Sequence, residues 1–507
     1  MDIHISIHGR HDLTGQIYRQ LRAGVINGRL AAGERLPSTR DLALQLGVSR
    51  KTTLEVFERL VTEGYLRSQP GNGTFVADGL MRVPTRAADV LDAVDTTDAE
   101  NTFTTLEALG DRDAMEGDTG QATPREVWSA VPESLSFPKP RPALPFDFLG
   151  GVTDKTQFPF DAWRRCLNHA LRVQARSRGN YREPGGDQEL RLAISRYVAF
   201  SRAVPCTWED VIVTQGAQQA LDLLARVVVK PGDIVAMEDP GYPPARAAFA
   251  ALGANVVSVP VDDHGIMTAR LPARARLVYV TPSHQFPLGM PMSLERRVEL
   301  LEWAQRNRAV IVEDDYDGEF RFEGRPMESL KSLDRAGLVA YVGTFSKTIF
   351  PELRVGYTIP PRSLNLALQK AKQISDWHTG TLTQTALARF MLDGDFGKHL
   401  RRIHKQYETR RKVLLTHLRG PLSPWFEPIV PAAGIHLSAL LKNGVAESDV
   451  VAAAAEGSIG LYGISAFHAT EPVRPGLLFG YGGMSAPDID TALTRLATLL
   501  RPGPPTQ

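Results

Sequence analysis

The chain has 507 residues, room for two to four domains, and its 58 lysines and arginines balance 57 aspartates and glutamates, so bulk charge neither favours nor excludes a nucleic-acid partner. Two isolated cysteines, Cys166 and Cys206, exclude a disulfide framework and a cysteine zinc site and fit a reducing compartment. The stretch MDIHISIHGR has no apolar run of signal-peptide type, and the longest apolar runs elsewhere are strand-length, so the expectation is a soluble, cytoplasmic protein that makes no use of a membrane.

Residues 1–78 form a pattern of their own. Ile17, Leu21 and Val25 recur at helical spacing, and GRLAAGERLPSTR then breaks the pattern before a second helix, TRDLALQL, that Ser38 or Thr39 can cap. Gly47 ends that helix. Ser49 caps a third, RKTTLEVFERLVTEG, with Leu54, Phe57, Leu60 and Val61 on its apolar face. Two short helices joined by GVS are a helix-turn-helix signal, and GYLRSQPGNGTFV reads as strand, turn and strand, a wing. Ser49, Arg50, Lys51, Thr52 and Thr53 open the recognition helix, where side chains reach base edges and phosphates of double-stranded DNA; arginine suits the O6 and N7 of guanine. Arg40 is placed to meet the backbone, and Gly73 to let the wing tip approach it. A winged helix that contacts protein instead is the alternative.

Residues 79–143 change in composition. Positions 87–118 are acidic and rich in alanine and threonine, and SFPKPRPALP adds four prolines, so the expectation is a flexible linker rather than a small extra helical domain. From residue 144 to 507, short β-branched runs such as DVIVTQG, DIVAMEDPGY, RLVYVTPS, AVIVEDDYD and LVAYVGTFSK alternate with helical segments. That alternation predicts an α/β domain with a mostly parallel sheet, and ligands of such sheets collect at the carboxyl ends of the strands. TQGAQ, EDPGY, DDYD and TFSK all stand just after such runs.

The ordered set TQGAQQA, EDPGYPP, TPSHQFPLG, EDDYDGEF, GTFSK and LRVGY resembles a fold type I aminotransferase module over residues 146–500. Joined to a winged helix that resembles the GntR superfamily, the whole chain resembles the MocR-type regulators, so a homodimer is expected, on an operator with two half-sites. The resemblance implies pyridoxal 5′-phosphate, with Lys347 as the Schiff-base lysine, Asp314 pairing the pyridine nitrogen, Tyr316 donating to the ring oxygen and Tyr242 stacking on the ring. Strand alternation lets only one of Asp314 and Asp315 face that ring. Gly216, Ala217 and Gln218 begin the helix that would receive the phosphate, assisted by Ser346 and Arg354, and Tyr181 would reach the phosphate of the other subunit.

Two departures stand against ordinary transamination. Phe286 takes the place where the enzymes usually carry an asparagine, and Leu478 the place of the arginine that clamps the substrate α-carboxylate; Arg474 is the nearby candidate to replace it. His284 lies in the same loop as Phe286. The implied function is a DNA-binding transcription regulator that senses an amine or amino-acid effector, or the cofactor itself, with at most a residual half-reaction. The alternative is a working aminotransferase with a DNA-tethering domain.

Overall fold

The computed structural model describes residues 11–69, 72–77, 144–323, 328–470 and 474–500, and besides these only residues 5–7, 9, 126–128 and 131. Most of the stretch read as a linker therefore lies outside the described residues. The chain divides into two compact units, residues 1–122 and 123–507.

In the first unit, helices Leu13–Ile26, Thr39–Leu46 and Arg50–Thr62 precede an antiparallel pair, β1 (Leu66–Gln69) and β2 (Gly73–Val76). Ser38, not Thr39, caps the second helix, its hydroxyl accepting from the Asp41 amide, and Gly47 ends that helix at φ 65°. Ser49 caps the third by accepting from the Thr52 amide, a contact worth about 1 kcal/mol. The buried face of the third helix is Thr53, Val56, Phe57 and Leu60 rather than the face expected from Leu54, which is 43% exposed. Thr53 can take a core position because its hydroxyl donates to the Thr39 carbonyl at 2.7 Å, which ties the second helix to the third.

The second unit is built on an eight-stranded sheet. After a short β3 (Phe146–Asp147) come β4 (Ile212–Thr214), β5 (Ile234–Asp239), β6 (Asn255–Asp262), β7 (Gly265–Ile266), β8 (Ala275–Val280), β9 (Val310–Asp315), β10 (Val339–Thr344) and β11 (Gly356–Ile359). Their order is β4-β11-β10-β9-β8-β5-β6-β7. Strands β10, β9, β8, β5 and β6 run parallel, while β11 is antiparallel to both its neighbours and β7 to β6. Apart from β6, the strands are nearly all buried because helices cover both faces, which is why they read as continuous apolar runs. A smaller antiparallel sheet follows, made of β12 (Phe426–Pro428), β13 (His436–Leu441), β15 (Tyr462–Gly463) and β16 (Gly476–Gly480), with β14 (Ile459–Gly460) pairing β3. The long helix Asp395–Arg419 packs on this sheet through Tyr407, Leu414 and Leu418. No described helix is long and apolar enough to cross a membrane.

Candidate functional site

On the winged helix, Arg50 and Lys51 stand exposed in the first turn of the third helix, and Arg40 is exposed on the second. Ser49 is exposed too, and its hydroxyl lies 2.8 Å from that of half-buried Thr52. Thr53 cannot take part in DNA contact: it is fully buried and its hydroxyl is used inside the domain. Gly73 sits at φ 114°, and a Cβ there would meet Arg35 Nε at 2.9 Å, so the glycine serves both the strand's conformation and the seat of an exposed arginine at the wing. Sequence spacing missed Arg35, which only the folded wing brings beside Gly73.

In the large unit the carboxyl ends of the parallel strands open into a cavity of about 390 Å³. Its lining includes Ala217, Gln218, Tyr242, Asp314, Tyr316, Ser346, Lys347 and Arg354, residues of five separate segments that the fold gathers from positions 217 to 354. Gly216 begins the helix Gly216–Val228 at φ 74°; a Cβ there would meet Arg354 Nη2 at 2.7 Å. No side chain caps that helix, so its first amides are left for an anion, and Arg354 lies beside them, donating to the Gln215 carbonyl at 3.0 Å. Ser346 and Thr344, hydroxyls 3.0 Å apart, close this corner.

Strand register settles the two adjacent carboxylates. Asp314 faces the cavity, one oxygen accepting from the Tyr279 hydroxyl at 2.7 Å and the other, Oδ1, buried without a partner. Asp315 points to the opposite face, held by Arg202 Nε at 2.5 Å and the Tyr341 hydroxyl at 2.6 Å. Burial pushes Asp314 up to about 7, against the pull of the Tyr279 hydrogen bond. Lys347 donates to the Gly151 carbonyl at 2.9 Å, and burial lowers its pKa while Asp317 and Asp314 act the other way. A Cβ on Gly151 would come within 2.4 Å of Lys347 Nζ, so only glycine leaves the amine its place. Tyr279, Gly151, Thr281, Ile435, His436 and Phe467 also line the cavity and were not found from spacing.

Tyr316 donates to the His284 carbonyl at 2.9 Å. His284 is buried, its Nδ1 3.0 Å from both oxygens of Asp317, and its ring lies 4.6 Å from that of His436. The loop histidine is thus a packed, partnered residue. Tyr181 does not line the cavity: it is 73% exposed and stacks on Trp377 at 4.5 Å. Arg474 does not line it either. It pairs with Glu427 at 2.6 Å on the edge of the small sheet, since it precedes β16 and Leu478, not Arg474, is the position turned inward.

The residues present fit pyridoxal 5′-phosphate. An uncapped helix start beside an arginine suits the phosphate, the unpartnered Asp314 oxygen suits a protonated pyridine, and Lys347 supplies the amine. If Asp314 is that partner, stability depends on pH in a set direction. In the cofactor-free protein its folded pKa is raised, so the carboxyl costs stability as pH climbs from the unfolded value through about 7, and a cationic ring offsets that cost. The expected result is that cofactor raises the melting temperature more at pH 8 than at pH 5.5, and that Asp314→Asn shrinks this difference; thermal scans of both proteins check it.

Such a site on such a sheet defines a fold type I module of the aminotransferase kind, joined here to a winged helix. The family model described as aminotransferase class I and II matches residues 151–496, and the bacterial regulatory proteins of the gntR family match residues 13–76. The chain is 36% identical to the probable rhizopine catabolism regulatory protein MocR of Rhizobium meliloti, over 92% of this chain and 90% of that one. It is 34% identical to the transcriptional regulator TauR of Rhodobacter capsulatus over 80% and 79% of the two chains. Among solved structures, a Pyrococcus horikoshii kynurenine aminotransferase superposes with a TM-score of 0.65 at 27% identity, covering 81% of this chain and 97% of that one. The chain belongs to the MocR-type regulators, with a GntR-family winged helix and an aminotransferase class I and II module. It is a helix-turn-helix transcription regulator, and pyridoxal 5′-phosphate is its cofactor.

Proposed function

We propose that the chain is a cytoplasmic, homodimeric regulator whose affinity for operator DNA answers to an amine or amino-acid effector bound at the cofactor pocket. The observation that carries the reading is that one chain joins a pocket furnished with Lys347, Asp314 and Arg354 to a recognition helix with exposed Arg50 and Lys51. When bound, the cofactor supplies an aldehyde that condenses with primary amines. Lys347 would hold that group, and burial lowers its pKa, which favours the unprotonated amine needed to bind an aldehyde. Asp314 would pair with the protonated ring nitrogen, and Arg354 with the first amides of Gly216–Val228 would anchor the phosphate. A homodimer is supported by Ile374, Trp377 and Tyr181, exposed apolar side chains at 86%, 50% and 73% around the end of one helix.

The DNA half is tested by Arg50→Ala, measured by anisotropy of a duplex selected from random sequence by the purified protein, at fixed salt. Loss of a base contact weakens operator binding by about 1 to 3 kcal/mol, roughly 5- to 150-fold, and relaxes preference at one position. The cofactor's absorbance stays as in the wild type. Undiminished binding would place the DNA contacts elsewhere.

A further inference from the structure

The cavity has an aromatic wall in which Tyr242 and Tyr316 serve the cofactor and Phe286, Phe467 and His436 have no part in holding it. Phe286 is its hub: ring centroids of Phe467, Tyr242, His436 and Tyr316 lie 5.0, 5.5, 5.7 and 6.1 Å away, each met at a steep angle. All five residues line the cavity. The wall is rigidly built. The Phe286 amide donates to Thr281 Oγ1 at 2.9 Å, Thr281 in turn donates to buried Glu238, and Gln285 clasps the loop by donating to the Pro240 carbonyl at 2.8 Å.

Behind the wall lies a closed apolar cluster of Ile464, Phe467 and Leu478, against which Phe286, Leu288 and Leu440 pack. Leu478 is fully buried in it, so the site where an arginine would clamp an α-carboxylate is filled with hydrocarbon. Among the described lining residues the lysine and arginine side chains are Lys347 and Arg354, the one committed to the cofactor aldehyde and the other to the helix start. His436 does not replace them: burial, then the nearby His284, pushes its pKa down to about 3, so it is neutral. A carboxylate pressed on this wall would lose its water and gain no cation. Ring faces instead accept hydrocarbon, aromatic edges or a positive group.

We propose that the effector is a primary amine without an α-carboxylate, whose apolar or aromatic body packs on Phe286 and Phe467. The proposal rests on the amine-sensing reading above and narrows it. It is tested on the full-length, cofactor-loaded protein by titrating 2-phenylethylamine and L-phenylalanine, which share a body and differ in the carboxylate, with cofactor absorbance and operator anisotropy as readouts. Half-saturation by 2-phenylethylamine is expected at a concentration at least about tenfold lower, the scale of discrimination that one desolvated polar group produces. Phe467→Ala, by admitting water to the wall, narrows that preference to within roughly threefold, while Phe467→Tyr, which keeps the ring, preserves it. Equal or tighter binding of L-phenylalanine, or a preference that Phe467→Ala leaves intact, overturns the inference but not amine sensing. A spectrum and an operator affinity indifferent to both compounds overturn the two together.

Discussion

Lys347→Ala abolishes the borohydride-reducible attachment of pyridoxal 5′-phosphate to the chain and with it the near-visible absorbance band of the purified protein. The expectation follows from position. Lys347 is the lysine that lines the cavity, Asp314 shares that cavity, and Gly151 leaves room for the amine where any Cβ would intrude. Lys331 and Lys372 are also largely buried, but each has a structural use: Lys331 donates to the Val339 carbonyl at 2.7 Å and Lys372 pairs with Asp376 at 2.9 Å. Mass spectrometry of the reduced protein checks the prediction, and a reduced adduct that persists in Lys347→Ala contradicts it.

Asp314→Ala and Asp315→Ala, one residue apart, are expected to fail in different ways. Removing Asp314 leaves a cationic ring without its counter-charge and the Tyr279 hydroxyl without its acceptor, so cofactor affinity falls by roughly 3 to 5 kcal/mol, the range for one half of a buried pair. Removing Asp315 strands the Arg202 guanidinium, 6% exposed, and the Tyr341 hydroxyl, so the loss of about 3 to 5 kcal/mol falls on folding stability. Cofactor titration of one variant and denaturant unfolding of the other separate the two. The reverse pattern would mean that β9 presents its other face to the site.

The architecture was legible because its signals are local. Parallel strands buried on both faces read as apolar runs, and residues at their carboxyl ends, Asp314 and Thr344 among them, line one cavity once the sheet forms. What escaped is what depends on distant segments. Tyr279 lies inside the run RLVYV, where continuous hydrophobicity hides the alternation that aims its hydroxyl at Asp314. His436 and Phe467 arrive from the small sheet and the segment between its strands, with no motif around them. Thr53 read as a DNA contact because polar residues at a helix start are normally exposed; its hydroxyl instead donates to the Thr39 and Arg50 carbonyls and sits in the core, while Leu54 stands on the surface. Arg474 was inferred from nearness in sequence to Leu478, but the side chain lies at the sheet edge, committed to Glu427.

The central claim, that the cofactor pocket governs DNA binding, is tested most directly by one operator titration. Wild type and Lys347→Ala are compared by footprinting at fixed salt, on a duplex selected by the purified protein, with and without saturating 2-phenylethylamine. The account predicts that wild type changes its operator affinity when the amine is added, whereas Lys347→Ala occupies the same operator and does not respond. An equal response in both proteins, or rapid multiple-turnover transamination by a wild type with no sequence preference on DNA, would contradict it.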